Sequence, residues 1–105
     1  LQANRGAAEV PLSVVEMCLE AMKLARVVVD KGNPASLSDA GVAGLMAHAG
    51  AQGAYYNVLI NIQTMEDDDW KRDISQKAKA LMEDIDQQAA QLRKDVEQRL
   101  TSSDA

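Results

Sequence analysis

The chain has 105 residues, a formal net charge of −5, 47% hydrophobic and only 3% aromatic residues, and a single cysteine. That length allows one domain with a modest core and no separate cofactor domain, while one cysteine forms no internal disulfide and makes the cytoplasm the expected compartment. Clustered Lys and Arg are missing, so no nucleic-acid partner is expected, and no apolar run approaches the roughly 18 to 20 residues of a membrane span.

The first residue is Leu1, with no charged start followed by an apolar stretch, so the sequence reads as an internal segment without a signal peptide. Phe is absent and the core must come from Ala, Val, Leu, Ile and Met, a mixture that favours closely packed helices. The expected fold is all-α, a bundle of long helices forming part of a larger helical domain.

In chain order, residues 1–10 contain Gly6 and lead into Pro11, which predicts an upstream helix that ends or kinks before a new one begins. Residues 11–31 read as helix. Ser13, Glu16, Glu20, Lys23 and Asp30 make a narrow polar stripe, and Val14, Val15, Cys18, Leu19, Met22, Val28 and Val29 cover much of the rest. Such a helix is expected to be buried on more than one side. Gly32-Asn33-Pro34 then stops it, and Ser36, Ser38 and Asp39 offer caps for the next helix.

The second helix is predicted from about 38 to 65, although each of its four glycines costs roughly 1 kcal/mol relative to Ala. Small residues at Ala40, Gly44, Ala47, Ala51 and Ala54 recur every three or four positions, so close approach of another helix is the expected compensation. A second line on this helix differs in character. At about 100° per residue, Asp39, Ala43, Met46, Gly50, Gly53, Asn57 and Asn61 fall within about 40° of one line. A face that only fills a core would carry large apolar residues; this one carries a carboxylate, two carboxamides, two glycines and an alanine, which marks it as a candidate site.

Distance constrains that site. Asp39 and Asn57 are eighteen residues apart, about 27 Å along a straight helix, so they cannot line one small-ligand pocket within one helix. Either they serve different sites, or two-fold antiparallel pairing sets Asp39 beside Asn57 of the partner subunit, and a homo-oligomer, dimer or higher, is expected.

Glu66-Asp67-Asp68-Asp69 suits the positive end of a third helix running to about 100. Its apolar residues from Trp70 through Ile74, Ala78, Leu81, Ile85, Ala89, Leu92 and Val96 to Leu100 make one thin line, as on a surface helix or a coiled-coil partner. Trp70 is expected to staple this helix to the bundle, and residues 101–105 read as a frayed end. One His and one Cys make no zinc or iron set, and His48 points about 180° away from the Asp39–Asn57 line, as a surface or interface residue would. Cys18 reads as a small hydrophobe.

Glu9-Val10-Pro11-Leu12, Gly32-Asn33-Pro34, Ser36-Leu37-Ser38-Asp39 and above all Gly53-Ala54-Tyr55-Tyr56-Asn57-Val58-Leu59-Ile60-Asn61 resemble the cyclodeaminase domain of formimidoyltransferase-cyclodeaminase and its stand-alone bacterial relatives, described as methenyltetrahydrofolate cyclohydrolases. The resemblance spans residues 1–71. It implies an all-α enzyme acting on a tetrahydrofolate derivative as substrate, with no permanently bound cofactor and no metal. In cyclodeamination, folate N10 attacks an N5-formimino carbon, ammonia leaves and a 5,10-methenyl bridge forms; in the cyclohydrolase, water opens that bridge. Family members are about twice as long and carry, in their N-terminal half, a Ser-Pro-x-Pro-Gly-Gly-Gly-Ser-like segment absent here, so the chain reads as the C-terminal portion of such a domain.

With that family in view, Asp39 and Asn57 become candidate catalytic residues, and Asn33, Ser36, Ser38, Tyr56 and Asn61 candidate substrate contacts. Asp39 could shuttle a proton or accept hydrogen bonds from the 2-amino group and N3–H of a pterin. Anchoring is favoured, because a position at the helix N-terminus would hold Asp39 ionised. Asn57 and Asn61 read either as buried amides bonding a neighbouring helix or as partners of the pterin and the leaving nitrogen. Tyr55 and Tyr56 point about 100° apart, so at most one stacks on a ligand ring. The competing reading is a non-catalytic helical module whose Trp70–Leu100 stripe docks a partner.

Overall fold

A computed structural model describes residues 2–66 and 68–102, with side chains from Arg5 onward. The chain forms three helices, α1 (Gln2–Lys31), α2 (Pro34–Ile62) and α3 (Asp68–Thr101), and no strand among the described residues. They pack side by side into a rod of 57 × 18 × 17 Å. This is the expected all-α bundle of long helices.

The seam of α2 shows why the helices pack so closely. Leu37, Ala40, Gly44, Ala47, Ala51, Ala54, Val58 and Ile62 are its buried residues, repeating every three or four positions, so the small-residue strip does face its neighbours. The bulk comes from the other helices. Val15, Leu19, Met22 and Val29 of α1 and Met82, Ile85, Leu92 and Val96 of α3 fill one core cluster against this seam. At Gly44 the fit is tightest: a Cβ there would overlap the Leu92 side chain and stand 3.6 Å from the Met22 sulfur. A second cluster of Ala8, Leu12, Val58, Ile62, Ile74 and Ala78 closes the other end of the rod, with Trp70 and Leu59 packed on it. Trp70 thus fastens α3 as expected, and the Arg5 guanidinium lies 5.4 Å from its ring centroid.

Several boundaries differ from expectation for local reasons. α1 neither ends nor restarts at Pro11 but runs through it from Gln2. α2 begins at Pro34, with Asn33 rather than Ser36 or Ser38 as its N-cap: the Asn33 side chain accepts a hydrogen bond from Ala35 N at 3.0 Å and proline holds the first helical position. Gly32, at φ +72°, takes the left-handed position that ends α1. α2 stops at Ile62, three residues short of the predicted end. The acidic entry to α3 is kept by Asp68 and Asp69 in its first turn; Asp67, and residues 103–105 of the expected frayed end, lie outside the described residues.

Two larger expectations need correction. α1 is not buried on more than one side: Val15, Met22 and Val29 are sealed, but Met17 and Leu24 are 67% and 68% exposed, with Val10 and Val28 also open. The apolar stripe of α3 is not a free docking surface either. Ile74, Ala78, Ile85, Leu92 and Val96 are buried against α1 and α2, and only Leu100 at the end of the line is exposed. A third helix needs one apolar face to join a bundle, and α3 has one; α1 has two and uses one.

Candidate functional site

The contacts of α3 define one side of the α1–α2 pair. On α1 it meets Glu16 through Lys77 and Arg26 through Asp95, at 3.4 and 2.6 Å; on α2 it meets Gly41 through Val96 and His48 through Asp86, at 2.7 Å. Turning each helix by about 100° per residue brings the opposite side into view. There α2 presents Asp39, Ala43, Met46, Gly50, Gly53 and Asn57, all exposed, and α1 presents Val10, Val14, Met17, Ala21, Leu24 and Val28, also exposed. Cys18 and Gly50 meet at the boundary between the rows, where a Gly50 Cβ would stand 3.3 Å from Cys18 Sγ. The polar and small-residue line of α2 therefore shares one open face with the unused apolar side of α1.

The register along this face is fixed by two contacts. Asn61 reaches the Ala7 carbonyl and Gly50 lies against Cys18, so in the antiparallel pair Asn57 is level with Pro11 and Asp39 with Val29. Because α2 is unbroken from Pro34 to Ile62, Asp39 and Asn57 stand about 27 Å apart, and one chain does not bring them together.

Asp39 is exposed, and among the described residues its carboxylate has no hydrogen-bond or ion-pair partner. As the sixth residue of α2 it lies beyond the first turn, whose open N–H groups were the basis for expecting an ionised, dipole-held carboxylate. α2 starts earlier than expected, so Asp39 does not sit at its N-terminus. Asn33 spends its side-chain oxygen on the cap. Ser36, half-buried, and Ser38, exposed, lie in the first turns of α2. All three lie within six residues before Asp39, but Ser38 turns about 100° away from its line.

At the other end, Asn57 is exposed and Asn61 half-buried. Asn61 Nδ2 donates both to the Ala7 carbonyl at 2.9 Å and to the Asn57 carbonyl at 2.8 Å, a role that the missing N–H of Pro11 could have signalled. The tyrosines divide as their spacing requires. Tyr55 packs against the core, and Tyr56 is 59% exposed with its hydroxyl accepting from Gln52 at 3.1 Å.

Charge on this face is sparse. Arg26 is drawn away to α3, where it pairs with Asp95 at 2.6 Å, and to Asp30 at 2.9 Å. The Arg26 guanidinium, first of all, holds the Asp95 carboxyl below the usual carboxylate range. Burial pushes the Cys18 thiol up, which favours its protonated form. His48 turns toward α3, away from the Asp39–Asn57 line, as expected. Among the described residues no three His, Cys, Asp or Glu side chains gather as metal ligands, and no helix is long and apolar enough to cross a membrane. What the face offers chemically is hydrogen bonding from a carboxylate and carboxamides beside apolar surface, with glycines that admit a close approach.

Residues 1–80 match the family model described as formiminotransferase-cyclodeaminase. The chain is 42% identical over 66 residues to a methenyltetrahydrofolate cyclohydrolase of Methylorubrum extorquens, covering 63% of this chain and 32% of that protein. It is 34% identical over 80 residues to the formimidoyltransferase-cyclodeaminase of Rattus norvegicus, covering 76% of this chain and 15% of the relative, and 31% identical over 83 residues to that of Gallus gallus, covering 79% and 15%. The chain thus spans a third or less of the length of these relatives.

Proposed function

The chain belongs to the formiminotransferase-cyclodeaminase family, and from that premise we propose that it forms the helical part of an enzyme acting on one-carbon units carried by tetrahydrofolate. The observation that carries this reading is the open face of α1 and α2, on which Asp39 and Asn57 both point outward beside an apolar row. The flat pterin ring has a hydrogen-bonding edge and apolar faces, and this surface presents matching chemistry. Asp39 accepts from the 2-amino group and N3–H and so orients the ring. Asn57 bonds the nitrogen that leaves or is protonated as the one-carbon bridge forms or opens. Asn33, Ser36 and Ser38 lie at the Asp39 end and Tyr56 toward the Asn57 end, as further substrate contacts.

Two reactions are compatible with these groups, hydrolysis of the 5,10-methenyl bridge and its formation from N5-formimino-tetrahydrofolate with loss of ammonia, the second a lyase step belonging to histidine degradation. Neither demands a metal, since the cationic one-carbon unit is already electrophilic. We place the enzyme in the cytoplasm.

The 27 Å between Asp39 and Asn57, about eighteen helical rises, makes assembly part of this proposal. Two copies related by a two-fold axis lay their open faces together antiparallel, which sets Asp39 of one protomer near Asn57 of the partner subunit. A face up to 57 Å long and 18 Å wide offers roughly the 800 Å² per partner typical of specific interfaces, and Gly50 and Gly53 near its centre let helix backbones approach. Incubating the chain with each substrate in turn, and following the methenyl chromophore and released ammonia, tests the reaction. Turnover of one substrate identifies it; binding of neither would sink the folate reading for this chain.

A further inference from the structure

Pro11 lies in the interior of α1, where it supplies no N–H, so the Ala7 carbonyl four residues earlier loses its helical donor and is pushed outward by the ring. Asn61 Nδ2, on α2, meets that carbonyl at 2.9 Å and the Asn57 carbonyl at 2.8 Å. The amide orientation follows from its partners, because the flipped rotamer would set Oδ1 against two carbonyl oxygens. An asparagine amide has two donor hydrogens, and both are used here.

We propose that Asn61 is a positioning residue: it supplies the hydrogen bond that Pro11 removes from α1, and so locks the start of α1 and the Asn57 turn of α2 into the register of the open face. Without it, the Ala7 carbonyl, at an exposed position, would turn to water, and the tie between α1 and α2 at this level would be lost. The proline keeps Ala7 from closing its own helix, so the donor comes from outside α1, and here Asn61 of α2 supplies it. Local chemistry on one helix thereby specifies a contact 54 residues away. With both hydrogens engaged, Asn61 has only Oδ1 left for a substrate, and its effect on turnover passes through Asn57 and α1. That functional half rests on the folate reading above; the pairing of Asn61 with Pro11 does not.

A double-mutant cycle separates the two. In the 105-residue chain, Asn61→Ala lowers the urea midpoint of unfolding. In a Pro11→Ala background the backbone N–H restored at that position pairs with the Ala7 carbonyl, and the loss caused by Asn61→Ala falls to half or less. An equal loss in both backgrounds overturns the proposal. The wild-type protein gives a second reading that needs no variant: the Asn61 side-chain NH₂ protons exchange with solvent at least about tenfold more slowly than those of exposed Gln63, and equal exchange rates overturn it too. If the chain turns over or binds methenyltetrahydrofolate, Pro11→Ala restores the kcat/KM or affinity lost in Asn61→Ala; persistence of the defect would make Asn61 a direct substrate contact. If no folate binds, the functional reading falls while the urea cycle still decides the pairing.

Discussion

Gly44 and Asp39 show how differently two residues on one helix are constrained. Gly44 sits where a Cβ would overlap Leu92, in a seam of buried small residues, so added volume has nowhere to go. Gly44→Val is expected to destabilise the protein by about 1–3 kcal/mol through overpacking, read as a lower urea midpoint at unchanged m-value, with part of the loss regained on adding Leu92→Ala. Asp39 faces out and has no partner among the described residues, so stability is expected to be indifferent to its removal, and the proposed pterin contact is what its substitution tests. With a pterin anchored by its carboxylate, Asp39→Asn raises KM more than it lowers kcat; an equal fall in kcat and kcat/KM at constant KM would assign Asp39 to transition-state chemistry instead. The small-residue periodicity that identifies the seam was readable along the chain. The starting point of α2 was not, because Asn33 and Pro34 outcompete Ser36 and Ser38 as the cap and first helical residue.

At the scale of elements, α3 is held to α1 and α2 by buried aliphatics and by a few polar links. Arg99 donates to the Val29 carbonyl near the end of α1, which also accepts from Gly32 N at 3.0 Å. Asp95 bonds Arg26 at 2.6 Å and accepts from Gln91 at 3.0 Å. Its carboxyl is held below the usual range by Arg26, so the folded state binds this proton less readily than the unfolded chain does. The stability it contributes is therefore fully present above the unfolded carboxylate pKa of about 4 and is lost as pH falls through the lower folded value. Urea midpoints measured from about pH 6 down to about pH 2 should fall less steeply in Asp95→Asn than in the wild type, and identical slopes would remove the pair from the account. The apolar line of α3 could be read in sequence, but whether it met its own chain or another protein could not, since both demand the same stripe.

Among the described residues α1 and α2 share a broad open face, apolar along α1 and polar with small residues along α2. Self-association is the expected consequence. The sedimentation coefficient should rise with concentration, and Leu24→Glu, at a 68% exposed position, should leave the unfolding free energy of the dilute chain, read from urea titration, within about 0.5 kcal/mol of wild type while shifting the monomer–dimer equilibrium toward monomer by at least about tenfold. A wild type that stays monomeric at high concentration would separate Asp39 from Asn57 for good, because the rise of α2 fixes them apart.

Sequence by itself determined three long helices, the glycine that ends α1, the close-packed strip of α2, the family, and the impossibility of a single-helix pocket spanning Asp39 and Asn57. All of these follow from interactions within a few residues, from helical period and rise, or from an unusual run such as that ending in Tyr55-Tyr56-Asn57. Tertiary structure alone decided which of the two apolar sides of α1 is buried, that the α3 stripe turns inward, and that α1 passes through Pro11 with Asn61 of α2 meeting the Ala7 carbonyl. Those outcomes depend on groups far apart in sequence competing for the same partners, and helical periodicity cannot rank such partners until the helices are side by side.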